Sequence, residues 1–292
     1  MVASGSARVN LQQAGTVRGA AREHSGAATL AELARRPLFE PVHGLLDALP
    51  GPGPGGLAEL NALLLSDAAG AAEVIRFVAP DDAPMAYEER IVVRGAIVTR
   101  PHNWHDFFNA LVWMRFPQTK RRLAELHVDG MRSPARDGRR GPIRDAATQF
   151  DESGIVVAAS DAGLLDLLAR RQWKELFWTR RHEVMQRMRF VVFGHGLYDA
   201  LRAPFYRICG RAATLVVPRT CIEAPVEQLC AHVDPVLGER FGQRTWYPRP
   251  RVLLALPLLG IPGVCIENEN SAYYDDAVQF RPPPYDTRTA CG

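Results

Sequence analysis

The chain is short of cysteine, of unbroken apolar runs and of excess charge, and each shortage removes a class of protein. Its five cysteines in 292 residues, Cys209, Cys221, Cys230, Cys265 and Cys291, are odd in number, lie in the last third and include no C-x-x-C pair. That argues against a disulfide frame or a zinc–thiolate site, and for reduced, mostly buried thiols in a cytoplasm. The longest apolar stretch, RVLLALPLLGIPGV from Arg251, is broken by prolines and falls short of the roughly 20 residues that span a bilayer, so no membrane partner is expected. Residues 1–30 hold no continuous apolar segment of the kind a secretory signal needs; their Ala, Gly, Ser and Arg predict a disordered basic tail. A net charge of +3 is too mild to imply nucleic-acid binding on its own.

What is present is the composition of a globular protein, 47% hydrophobic and 23% charged, enough for a sizeable core. We expect one globular domain over residues 31–285, helix-dominated α+β with one or two small antiparallel hairpins or a small sheet, and a disordered end over 286–292. Leucines at helical spacing on either side of GPGPGG predict two antiparallel helices near the start. The β-branched residues of YEERIVVRGAIVTRP, residues 87–101, predict an extended pair or one bent strand. The Asp, Ser and Gly of DESG, residues 151–154, predict a hairpin tip between two extended runs. Helices are expected from about Trp104 to Pro117, and over QTKRRLAELH, AGLLDLLARRQWKELFWTRRHEVMQRM, FVVFGHGLYDALRAPF and PVEQLCAHVDPVLGERF. RAATLVVPRT reads as a strand, and the proline-rich end from Tyr247 is expected to wrap over a surface.

Chemistry concentrates in RPHNWHDFFNALVWMRFP, residues 100–117. With a helix starting near Asn103, His105, Asp106 and Asn109 project from one side, while Trp104, Phe107, Phe108, Leu111, Val112 and Met114 supply an apolar area for the core. His102 and Asn103 stand at the helix mouth. An imidazole can bind a metal or move a proton, a carboxylate can ligate or orient it, and an amide can hold a water or a substrate oxygen. The same residues can instead serve the fold: Asn103 or His102 as a cap, Asp106 against the helix dipole, His105 and Asn109 as ties to a neighbouring backbone. The mix also echoes His-Asn-His nucleases, but IVVRGAIV offers no histidine at the end of its first strand to act as general base.

Elsewhere, FGHGLYD sets His195 between glycines with Asp199 four residues on, placed to bond the imidazole; a core histidine bonded to a carbonyl fits the same pattern. Asp151 and Glu152 can hold a cation or merely shape a turn, and Ser153 sits in no G-x-S-x-G elbow. Asn268, Glu269, Asn270, Asp275 and Asp276 lack calcium-loop spacing, and Tyr273 and Tyr274 read as packing anchors. The basic features are KRR at Lys120, the loop over residues 132–144 with Arg132, Arg136, Arg139, Arg140 and Arg144, and the arginines around Trp173 and Trp178. These suit either nucleic acid or solvated faces with the tryptophans turned inward, and no helix-turn-helix, zinc-finger or RNA-recognition signature accompanies them.

Taken together, NWHDFFNALVWMRFPQTK, RDAATQFDESGIVVAASD, WKELFW, FGHGLYDAL and LPLLGIPG followed by NENSAYYDDAVQFRPP resemble the bacterial domain-of-unknown-function family 3025 over roughly residues 37–284. Gln149 departs from the pattern, standing where an apolar residue is expected. The resemblance implies a cytoplasmic bacterial protein and no established reaction.

The leading expectation is a polar cleft in which the His105 helix, His195 and one of the acidic segments meet. It would bind or act on a phosphate-bearing or acidic ligand, with a divalent metal as the cofactor such a site can take. There His105 or His195 is base or ligand, Asp106 orienter or ligand, Asn109 a positioning group, His102 and Asp151 ligand contacts, and Arg144 an anion clamp. Two expectations compete with it: a non-catalytic module whose basic loop meets nucleic acid or a protein, and polar groups that only lock helices together. The separation of His105 and His195 is the observation that discriminates among them.

Overall fold

The structure is a computed structural model describing residues 28–53, 56–66, 75–82, 85–132, 142–243 and 253–282. Residues 1–27, 133–141 and 283–292 hold nearly all of the expected basic tail, most of the arginine loop and the expected C-terminal end; they lie outside the described residues.

The first expected helix breaks into short pieces, α1 (Leu30–Ala34), a 3-10 helix at Pro37–Val42 and α2 (His43–Ala48), before α3 (Gly56–Ser66). Thr29 starts α1 in a reciprocal capping box with Glu32, and Pro37 and Pro41 interrupt the backbone ladder that would have continued it. β1 (Arg76–Val78) then pairs in parallel with β2 (Ala96–Val98) across α4 (Tyr87–Arg94). The expected extended pair at residues 87–101 is therefore mostly helix. Gly95, at φ 60, closes α4 with its N–H on the Ile91 carbonyl, and this glycine cap outweighs the β preference of Ile91, Val92 and Val93.

α5 (Trp104–Arg115) and α6 (Pro117–Arg132) follow as expected, α6 longer than its sequence signal. No hairpin forms at DESG. Asp151, Glu152 and Ser153 are the last turn of α7 (Pro142–Ser153), where Ser153 Oγ donates to the Gln149 carbonyl at 2.8 Å. Gln149 is accordingly a helical residue, not a strand one. Gly154 opens β3 (Gly154–Ala159) directly after the helix; a Cβ there would strike the Phe150 carbonyl and ring.

Beyond β3 come α8 (Ala162–Ala169), a π turn at Glu175–Thr179, α9 (Arg181–Arg187), β4 (Met188–Val192), α10 (His195–Leu201), β5 (Cys209–Val216), α11 (Arg219–Glu223), α12 (Val226–Gly242) and β6 (Leu254–Pro257). Phe190 to Val192, expected helical, belong to β4. The sheet runs β4-β3-β5-β6, with β3 antiparallel to β4 and parallel to β5, and β6 antiparallel to β5. The proline-rich end thus adds an edge strand instead of only wrapping a surface, and Leu256, Leu258 and Leu259 enter the core. Helix-dominated α+β is the fold class, with one parallel pair and one mixed sheet in place of hairpins. β3 is buried along its whole length, as a central strand covered on both faces must be. Nearly all the described buried apolar side chains, from Leu33 to Phe280, form one contiguous cluster. No described helix is long and apolar enough to cross a membrane.

Candidate functional site

His105 and His195 meet because α5 and α10 pack through aromatic rings one turn further along each helix. Phe108 stacks on Tyr198 at 5.7 Å between centroids, Phe39 leans on both, and Tyr198 Oη donates to the Val192 carbonyl at 2.9 Å. Each histidine lies three residues before its aromatic, so the same contact sets the imidazoles edge to face with centroids 4.4 Å apart. α10 can begin there because Gly194 and Gly196 flank His195. A Cβ on the first would collide with the backbone of residues 152–154, and one on the second with the Glu152 carboxylate.

The two rings share Glu152. His105 Nε2 lies 3.3 Å from Glu152 Oε2, and His195 Nε2 lies 3.5 Å from Oε1. Each ring turns its other nitrogen towards an aspartate, His105 Nδ1 at 3.6 Å from Asp106 and His195 Nδ1, buried and making no hydrogen bond, at 3.8 Å from Asp151. The aspartates are themselves held. Asp106 accepts from Arg100 N, Nε and Nη2 at 2.9, 2.8 and 2.8 Å. Asp151 accepts from the buried Lys120 at 2.5 Å. Lys120 also donates to Asn109 Oδ1 at 2.8 Å, and the Asn109 amide donates to Tyr87 Oη at 2.8 Å. Asn103 is the helix cap, its Oδ1 accepting from Asp106 N at 2.9 Å.

Beside this array lies a cavity of about 390 Å³, of a size that suits a small molecule. His105, Asp106, Asn109, Asp151, Arg144 and His195, all singled out from the sequence, line it. His102 does not: it is exposed, with a left-handed backbone at φ 56. Asp199 does not orient His195 either, because its carboxylate accepts from Arg202 at 2.7 Å. The acidic segment near the C-terminal end serves the fold. Asn268 is fully buried and donates to the Leu259 and Ile261 carbonyls at 2.9 and 2.7 Å, and Asp275 pairs with Lys174 at 2.6 Å. Trp173 is buried and donates Nε1 to the Arg281 carbonyl, and Trp178 packs partly buried against the core, so both tryptophans turn inward. Among the described cysteines all four are free, Cys230 and Cys265 buried but Cys209 exposed, which corrects the expectation of mostly buried thiols.

From the sequence no site role falls to Tyr87, Arg100, His127 and Thr148, Lys120 reads only as part of a basic face, and Glu152 reads as a cation contact or a turn residue. All but Lys120 line the cavity, and Lys120 sits behind Asp151.

The environment drives the two imidazoles in opposite directions. Burial pushes His195 down to about 4, overriding the pull of Asp151. Hydrogen bonding to Asp106 and Glu152 lifts His105 to about 9. Burial alone would raise Asp106, yet its bonds from Arg100 and His105 hold it well below the carboxylate range; Lys120 and His195 likewise outweigh burial at Asp151, and the His105 bond lowers Glu152. His105, Glu152 and His195 each offer a donor atom, all within 4.8 Å of one another. Ligands about 2.1 Å from a tetrahedral ion stand about 3.4 Å apart, close to the two histidine–glutamate separations. Arg144 reaches the same cavity over Gly130, whose missing side chain leaves room for it, and its buried Nε has no hydrogen-bond partner.

Fold and site together define a helix-dominated α+β chain with a cleft of paired histidines and carboxylates. Comparison with known families matches residues 75–283 to the family described as protein of unknown function (DUF3025), and the chain belongs to that family. Every residue of the cleft falls within the matched span. No curated protein and no solved structure matches the chain.

Proposed function

We propose that the chain is a divalent-metal-dependent hydrolase of a phosphate-bearing or otherwise acidic small molecule. The ion is held by Nε2 of His105, Nε2 of His195 and a Glu152 oxygen. The observation that carries this reading is the orientation of both rings: each directs Nε2 at Glu152 and Nδ1 at its own aspartate. A metal-ligating histidine commonly gives its other nitrogen to a carboxylate, which fixes the tautomer and raises the basicity of the ligand. Two histidines arranged alike, on helices from distant parts of the chain, favour this over a set of ties that only lock helices.

Three protein ligands leave a position for water, and a bound ion lowers that water's pKa and polarises a substrate oxygen. Arg144, with its unsatisfied Nε, serves as the anion clamp, and Asn109, fixed by Lys120 and Tyr87, keeps the cleft wall in place. Metal-stripped protein titrated with zinc or manganese and assayed by elemental analysis should take up one ion per chain. His195→Ala and Glu152→Gln should each weaken uptake by more than about 100-fold, beyond the range of a lost outer partner. The loaded protein should cleave p-nitrophenyl phosphate or bis(p-nitrophenyl) phosphate, and these variants should not. If neither ion binds stoichiometrically, the reading fails.

A further inference from the structure

Ser153, next in the chain to Glu152, lines a second cavity of about 430 Å³. Its chemistry differs from that of the cleft, for Arg171, Arg207, Arg211 and Arg281 line it and no aspartate or glutamate does. None of the four forms an ion pair with a described carboxylate; Arg171 donates one Nη1–H to the Pro282 carbonyl at 3.3 Å. Asp276, whose charge Arg207 feels, accepts from Tyr206 Oη at 2.5 Å and from the backbone of Val278 and Gln279 at 2.9 and 3.2 Å. Like-charged guanidinium groups that no described carboxylate pairs with repel one another, and folding alone gives no reason to collect them.

The backbone carries a second, independent sign. Among the described residues three non-glycine residues have positive φ, and two of them are Arg171, at 54, and Arg207, at 69. Arg171 closes α8 in the left-handed position, with its N–H on Leu168 and the next N–H on Leu167, where glycine is the usual occupant. Arg207 is the third residue of a turn closed by Ile208 N–H on the Phe205 carbonyl, again a glycine position. Strained backbone of this kind gathers at ligand clamps. Here both strained positions place a guanidinium on one cavity.

We infer that this arginine cavity is an anion site for the phosphate group of a small soluble molecule, separate from the metal cleft. Guanidinium forks match phosphate oxygens two at a time, and the volume admits a phosphate or pyrophosphate with part of the molecule that carries it.

Cys209 is exposed and lines the same cavity, so its alkylation reports occupancy there. In chelator-treated full-length protein, pyrophosphate should slow iodoacetamide labelling of Cys209 several-fold, followed by peptide mass spectrometry, and sodium chloride of equal ionic strength should not. The double variant Arg171→Gly, Arg207→Gly relieves both backbone positions, so its thermal midpoint should stay or rise while the half-protecting concentration climbs about tenfold or more. Arg211→Gln, on β5, should give a rise in the same sense and serves as the second variant if the double one misfolds. Arg144→Ala, in the other cleft, should leave protection unchanged, which separates failure of this site from failure of the metal reading. Absent protection in the parent protein, equal protection by chloride, or protection retained in the arginine variants would each overturn the inference.

Discussion

Lys120 is only 4% exposed, and its charge is committed to Asp151 and Asn109. Replacing it with Met keeps the stem's packing but strands a carboxylate and an amide oxygen. Lys120→Met should therefore cost about 3 kcal/mol, the low end for a broken buried pair because Asp151 keeps part of its side chain in water. A urea midpoint measures this, and a loss below about 1 kcal/mol would mean the pair is already well solvated. KRR at this position reads in sequence as a nucleic-acid surface or a solvated face; its first residue is instead held against Asn109 and Trp113 of α5 and Asp151 of α7, which no local pattern announces. The two histidines make a further prediction for the metal-free chain. His105, raised from 6.5 to about 9, contributes stability that is complete below 6.5 and lost as pH climbs through about 9. His195, lowered from 6.5 to about 4, contributes stability that is complete above 6.5 and lost as pH falls through about 4. The pair should give the metal-stripped protein a stability maximum near pH 6.5. Thermal midpoints across pH 4 to 9 test it, with His105→Gln flattening the alkaline limb and His195→Gln the acid one.

At the scale of elements, α5 and α10 were legible because each carries a start signal and an apolar row: the Asn103 cap ahead of the Phe107 and Phe108 ridge, and Gly194 ahead of Leu197 and Tyr198. α7 was not. Asp151 and Glu152 occupy its last turn, where negative charge opposes the helix dipole, so the residues that suit the site are those that make the segment look like a turn. Lys120 and His105 offset that opposition in space, across 31 and 47 residues of chain. α4 was hidden in the same way by three β-branched residues, although Gly95 marked its end. The join between α7, β3 and α10 is tight enough to test directly. Gly194→Ala puts a methyl group into the backbone of residues 152–154, and overpacking there should cost about 1–3 kcal/mol. Because relief requires α10 to move, metal uptake should fall in the same variant. A fall in stability with unchanged metal affinity would show that the ligand geometry does not depend on this contact.

Across the whole molecule, the cleft draws on α4, α5, α6, α7 and α10, and Glu152 sits at the root of β3, the most deeply buried strand of the mixed sheet. The proposed ligands are thus fixed to elements the core already holds, and the metal-free chain should be folded, unlike small domains that collapse without their ion. The ion should nevertheless register globally, because whatever binds only the folded state stabilises it by mass action. At a free concentration about 100 times the dissociation constant the gain is about 2.7 kcal/mol. For a chain of this length, a midpoint moves about 2 °C per kcal/mol, so saturation should raise it by about 5 °C and chelation should return it. His195→Ala and Glu152→Gln should remove the metal-induced rise altogether, whereas Lys120→Met should start lower and still climb, because its lesion lies behind the ligands and not among them. A rise of equal size in the His195→Ala protein would place the ion elsewhere on the surface, and the paired imidazoles would then be a packing device of α5 and α10.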